Sequence, residues 1–162
     1  LTNALDTVPS VEEQPAQESP VSEPSLYERV GGSAFFEQLV DVFYEGVAGD
    51  DVLGQLYPEH PDFTGARHRL TLFLIQYWGG PTDYASERGH PKLRMRHLRF
   101  PIGTEARDRW LTHMAHAIEV VTAGLPAGDD VAAELLAYFR PTAEHLRNDT
   151  GLPITSTSFR QR

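Results

Sequence analysis

Apolar residues recur at helical spacing along most of the middle of the chain, and this periodicity predicts four main helices. Ser33 is placed to cap the first, whose Phe36, Val40, Phe43, Tyr44 and Val47 fall three or four residues apart in one stripe that ends near Ala48-Gly49-Asp50. The second runs from about Gly65 to Trp78, with Ala66, Leu70, Phe73, Leu74 and Tyr77 along one face, and Gly79-Gly80-Pro81 stops it. Thr104 opens a third helix through Trp110, Met114, Ala117, Ile118 and Val121, and Asp129 or Asp130 opens a fourth through Leu135, Leu136, Phe139 and Leu146. Pro141 falls inside that last helix, where it removes a backbone donor and crowds the preceding turn at a cost of about 3 kcal/mol, so a kink or break is expected. No stretch alternates with period two for long enough to make a strand, and no segment repeats. An all-α bundle follows.

The ends read differently. Residues 1–25 hold Asp6, Glu12, Glu13, Glu18 and Glu23 with four prolines, no basic residue and no aromatic, a composition that cannot bury enough apolar surface to offset the entropy of ordering. This is the pattern of a disordered acidic tail, and the polar, Ser/Thr-rich residues 149–162 read as a second tail. Residues 26–148 are then the folded domain. The 162 residues carry 14 Lys+Arg against 23 Asp+Glu, a net charge of −9. Setting aside the five acids of the first tail, and Asp149, Arg160 and Arg162 of the second, leaves 17 acids against 12 bases, so the domain is only mildly acidic. The chain lacks the basic start and apolar stretch of a signal peptide and has no run of about eighteen apolar residues, so a cytoplasmic protein without membrane insertion is expected.

With no cysteine in the sequence, thiolate zinc sites, iron–sulfur clusters and disulfides are excluded, and any metal must be held by nitrogen or oxygen. Between the second and third helices lies RGHPKLRMRHLRFP, from Arg88 to Pro101, in which Lys92, Arg94, Arg96 and Arg99 surround His97. A charge run is often only a solvated face, and a lone histidine is often structural. Tyr44, Tyr57 and Trp110 each bring a large ring with one polar hydrogen to an apolar stripe or turn, and such a donor, once buried, costs about 1–3 kcal/mol if it finds no acceptor. Each alone could reach a backbone carbonyl, but three together suggest a ligand as the acceptor. One histidine with basic neighbours, opposite a set of donors, suits a flat anionic cofactor whose metal takes a single imidazole, and haem meets that description.

Two other classes compete. Lys92, Arg94, Arg96 and Arg99 could bind anions or nucleic acid, although the charge of −9 opposes this and no aromatic platform flanks them. His113, His116 and Glu119 could hold zinc or iron from one helix, but the first and third are nearly two turns apart and rotated away from a common ligand cone, as on a solvated flank.

The segments LYERVGG (Leu26 to Gly32), FYEGVAGDDVLGQLYPE (Phe43 to Glu59), RLTLFLIQYWGGP (Arg69 to Pro81), ERGHPKLRMRH (Glu87 to His97) and RDRWLTHM (Arg107 to Met114) strongly resemble the group II, or O-type, truncated haemoglobins. The resemblance spans about residues 26–148 and implies a two-over-two helical sandwich around one b-type haem. It implies His97 as the proximal iron ligand, Tyr44 and Tyr57 as the two distal tyrosines, and Trp110 as the tryptophan over the distal site. Ala66 falls where longer globins put a distal histidine, and Leu70, Phe73 and Leu74 match the apolar distal wall. Tyr77 and Met95 would line the cofactor, and Arg69 and Arg96 are candidates for its propionates. The function implied is reversible binding of dioxygen and other diatomic ligands, with high affinity and slow release. An enzyme working on bound oxygen, a nitric oxide dioxygenase or a peroxidase, is the alternative. It would need a separate reductase, since nothing in the chain resembles a flavin or nicotinamide domain. A homodimer is left open.

Overall fold

A computed structural model of the protein describes residues 22–149. Seven α-helices follow in order: α1 (Leu26–Arg29), α2 (Ser33–Ala48), α3 (Thr64–Tyr77), α4 (Asp83–Arg88), α5 (Leu93–His97), α6 (Thr104–Thr122) and α7 (Gly128–His145), with a 3-10 turn over Gly54–Leu56 between α2 and α3. No strand occurs among the described residues. The four long helices are those the apolar periodicity predicts. Helices α1, α4 and α5 are too short for a periodic stripe to announce them.

The long helices pack as two pairs, α2 with α3 and α6 with α7, and α2 crosses onto α6 to join the pairs. This is the two-over-two sandwich. Phe36, Leu39, Val40, Phe43 and Val47 of α2 meet Met114, Ala117 and Ile118 of α6 and Leu135 and Phe139 of α7 in one core. Removing a side chain of this size from water stabilises the fold by about 1.5–3 kcal/mol each.

Several local expectations change. Gly32, not Ser33, is the N-cap of α2 and offers no side-chain cap; the Ser33 hydroxyl instead pairs with the Tyr27 hydroxyl at 3.0 Å. Helix α7 continues through Pro141 to His145, so the expected break does not occur. Pro141 lies on the exposed side of the helix. After α3 the chain turns at Gly79 with φ +103°, a conformation open to glycine, and a Cβ there would meet Ser25 at 2.6 Å.

Of the two tails, residues 1–21 and 150–162 lie outside the described residues. The residues beside them take part in the fold. Ser25 caps α1 in a reciprocal box with Glu28: the Glu28 N–H donates to Ser25 Oγ at 3.2 Å and the Ser25 N–H to Glu28 Oε2 at 2.8 Å. Asp149 accepts from Arg147 Nε at 2.9 Å. None of the described helices is long and apolar enough to cross a membrane.

Candidate functional site

Tyr44, Tyr57 and Trp110 come from three separate elements and meet in one aromatic cluster. Tyr44, on the apolar stripe of α2, is 3% exposed. Its ring lies 5.6 Å from Tyr57, which follows the 3-10 turn, and both pack against Phe63 at 5.8 and 5.6 Å. Trp110 of α6 joins through Phe43, 5.0 Å between centroids, and on its other side meets Phe139 of α7 at 5.5 Å. Burial, followed by the neighbouring Tyr57 phenol, pushes the Tyr44 hydroxyl above its ordinary value of 10. Burial also raises Tyr57, against the smaller opposing effect of hydrogen bonds from Tyr44 and Trp110. Both phenols are therefore protonated at neutral pH and able to donate.

Helix α3 carries the predicted wall. Ala66 and Leu74 are buried, Leu70 and Phe73 are partly buried, and Tyr77 is 50% exposed, its ring 4.1 Å from Tyr138 of α7. Arg69 pairs with Glu59 at 2.8 Å.

His97 ends α5, a five-residue helix entered from Lys92 in the left-handed region at φ 42°. Its ring packs against Phe100, and its Nδ1 lies 2.6 Å from the Leu93 carbonyl oxygen. A carbonyl only accepts, so Nδ1 carries a proton, and in the neutral ring the free lone pair is then on Nε2. Arg96 is turned back on the loop before the helix: its Nε donates to the Pro91 carbonyl at 2.7 Å and its Nη2 to those of Arg88 and His90 at 2.8 and 3.3 Å. Arg94 reaches the carbonyls of His145 and Arg147. Of Lys92, Arg94, Arg96 and Arg99, two are thus engaged with backbone. Arg88, Lys92, Met95, Arg96, Leu98 and Arg99, from α5 and its two flanks, line an open recess of about 560 Å³ whose lining does not include His97 itself. Met95 and Leu98 are 65% and 41% exposed there.

The metal-site alternative fails on geometry. Among the described residues no group of three or more His, Cys, Asp or Glu side chains could hold a metal ion. Nor does His113 belong to a solvated flank. Its ring passes over Gly46 of α2, and Nε2 meets Asp50 Oδ2 at 2.8 Å. Asp50 follows α2, with its side chain only 6% exposed, and it also accepts the N–H groups of Val52 and Leu53, each at 3.0 Å, and Arg109 Nη1 at 3.3 Å. This network fixes α6 against α2 one turn from Trp110, and periodicity did not reveal it. The available signal was Gly46, a glycine inside a helix on the side where the His113 ring approaches.

The sequence pattern of the family described as bacterial-like globins matches residues 25–145. A group 2 truncated hemoglobin of Bacillus subtilis is 41% identical over 124 residues, covering 76% of this chain and 89% of that protein. Among solved structures, a thermostable hemoglobin of Thermobifida fusca matches with a TM-score of 0.73 and 48% identity, over 78% of this chain and 99% of the other. A structure described as a truncated oxygen-avid haemoglobin of Bacillus subtilis matches with a TM-score of 0.69 and 40% identity, over 77% of this chain and all of the other.

Proposed function

Because the chain belongs to the bacterial-like globins, as a group II truncated haemoglobin, we propose that it holds one b-type haem through His97 and reversibly binds dioxygen and other diatomic ligands. The observation that carries this reading is the 2.6 Å contact between His97 Nδ1 and the Leu93 carbonyl. The Leu93 carbonyl holds the proton on Nδ1, which orients the ring and leaves Nε2 as the metal ligand, the arrangement by which metal-bound histidines are usually supported.

The surrounding residues fit such a group. Tyr77, Met95 and Leu98 are large apolar side chains left open to water, and a flat apolar macrocycle would cover surface of this kind. The recess lined by Met95 and Leu98 also carries Arg88, Lys92 and Arg99, cations suited to the macrocycle's two propionates, whereas Arg96 is already engaged with the carbonyls of Arg88, His90 and Pro91. Arg69, committed to Glu59, is the weaker candidate for that role.

Haem supplies the iron that takes a diatomic ligand. The chain supplies the hydrogen bonds and the exclusion of water. Trp110 offers an indole N–H, and Tyr44 and Tyr57 offer phenols that burial keeps protonated. Ala66 gives α3 no imidazole with which to close the ligand position, and Leu70, Phe73 and Leu74 give the pocket an apolar wall. A hydrogen bond to an acceptor bearing partial charge contributes about 1.5–3 kcal/mol, so a single donor slows ligand release by about tenfold or more. Tight retention follows, in keeping with the oxygen-avid description of the Bacillus subtilis structure.

The test is an absorption spectrum of the ferrous protein under argon and under air, repeated for His97→Ala. The protein is expected to show a five-coordinate spectrum under argon and a stable oxygenated one under air, and the variant to lose haem or its axial ligand. An unchanged imidazole-ligated spectrum in the variant refutes the assignment of His97.

A further inference from the structure

Helix α5, which carries His97, is the one α-helix among the described residues that buries no residue of its own. Five residues are too few for a helix to persist on backbone hydrogen bonds alone. Polar contacts must therefore hold it. Those of Arg96 are local, to carbonyls five to eight residues earlier. Every hydrogen bond from residues 93–102 to a distant part of the described chain ends on residues 145–148, at the C-terminal end of α7 and just beyond it.

We propose that Asn148 is a positioning residue for the iron ligand, a clasp that ties the backbone of His97 to the end of α7. The inference rests on the reading of His97 as the proximal ligand. Asn148 uses every polar group of its side chain on this one segment. Its Nδ2 donates to the carbonyl of His97 itself at 3.4 Å and to that of Phe100, while its Oδ1 accepts from the Ile102 N–H at 2.9 Å. Its own N–H donates to the Ile102 carbonyl at 3.0 Å. Arg94 completes the clasp from the other end of α5 through the carbonyls of His145 and Arg147. His97 is then held twice, by its ring through Leu93 and by its carbonyl through Asn148, and these two contacts set the direction of Nε2.

The chemistry requires an amide. Aspartate has the same shape and can still accept from Ile102, but its carboxylate cannot donate and would face the His97 and Phe100 carbonyls unpaired. Asn148→Asp therefore removes the donation and leaves the size unchanged, and Asn148→Ala does so without adding charge. The full chain is loaded with haem, and three quantities are compared: hydrogen exchange over residues 93–102 before loading, transfer of haem to excess apomyoglobin, and the iron–histidine stretching frequency of the ferrous unligated form.

Both variants are expected to exchange about tenfold faster over residues 93–102 and to lose haem about tenfold faster, with a displaced iron–histidine band and unchanged helix content by circular dichroism. If exchange, haem transfer and the band are all unchanged in both variants, the role of Asn148 is refuted while the haem reading stands. If the unaltered protein takes up no haem, the haem reading is refuted, and the positioning role with it.

Discussion

Gly46→Ala is a substitution whose sign the structure reverses. In the interior of an ordinary helix, replacing glycine by alanine stabilises by about 0.5–1 kcal/mol. At position 46 the new Cβ would stand 2.4 Å from Nδ1 of His113, 3.1 Å from its Cγ and 3.2 Å from its Cε1. The ring cannot stay, and moving it breaks the 2.8 Å bond from Nε2 to Asp50. A hydrogen bond to a carboxylate contributes about 1.5–3 kcal/mol, and the lower end applies because the His113 side chain is 25% exposed. Against the gain in helix propensity, the net loss is about 0.5–1.5 kcal/mol, a fall in Tm of about 2–6 °C for a domain of this size. Thermal unfolding of four proteins checks it: the unaltered chain, Gly46→Ala, His113→Ala and the double variant. Without the imidazole the three atoms nearest the new Cβ are gone, so Gly46→Ala is expected to raise Tm in the His113→Ala background and lower it otherwise. A rise in both backgrounds would show that the ring over Gly46 yields freely and does not fix α6.

Two further outcomes follow from the same region. Burial alone would raise the Asp50 carboxyl, but the Leu53 N–H, His113, the Val52 N–H and Arg109 together outweigh it and hold the group at about 2 against an unperturbed 3.8. The unfolded chain then binds the proton first, so this stabilisation is complete above about pH 4 and is lost as the pH falls towards 2. It is worth about 2 kcal/mol at full weight and about 1 kcal/mol after solvent screening. The stability difference between the protein and Asp50→Asn should shrink by that amount between pH 5 and pH 2 in urea titrations, and a constant difference would refute it. On the ligand side, Trp110→Phe keeps the packing against Phe43 and Phe139 but removes the indole N–H. Stopped-flow measurement is expected to show oxygen release about tenfold faster or more, and an unchanged rate would remove Trp110 from the site.

The four long helices were legible because each buries one stripe, and a stripe at 3.6-residue spacing survives in the sequence whatever it packs against. Phe36, Val40, Phe43 and Val47 on α2, and Met114, Ala117 and Ile118 on α6, are core residues in the structure as their spacing predicts. The short helices left no such trace. Helix α5 buries nothing and owes its place to Arg94, Arg96 and Asn148, whose partners are backbone carbonyls, and a carbonyl has no residue identity to read. Pro141 shows the opposite limit, for a strong local rule predicted a break in a helix that continues to His145.

By itself, the sequence determined an all-α domain without thiol chemistry, the four helices that form its core, and, through motifs such as YWGGP and RGHPKLRMRH, the family and the histidine proposed as the iron ligand. The tertiary structure alone decided which side chains are spent on holding the fold. It committed Arg69 to Glu59 and Arg96 to the loop before α5, moved His113 from a solvated flank onto Asp50, and brought Tyr44, Tyr57 and Trp110 from three elements into one cluster. The physical reason is that periodicity records only whether a residue faces inward. The partner that a polar group finds depends on where distant backbone and side chains arrive once the helices have crossed.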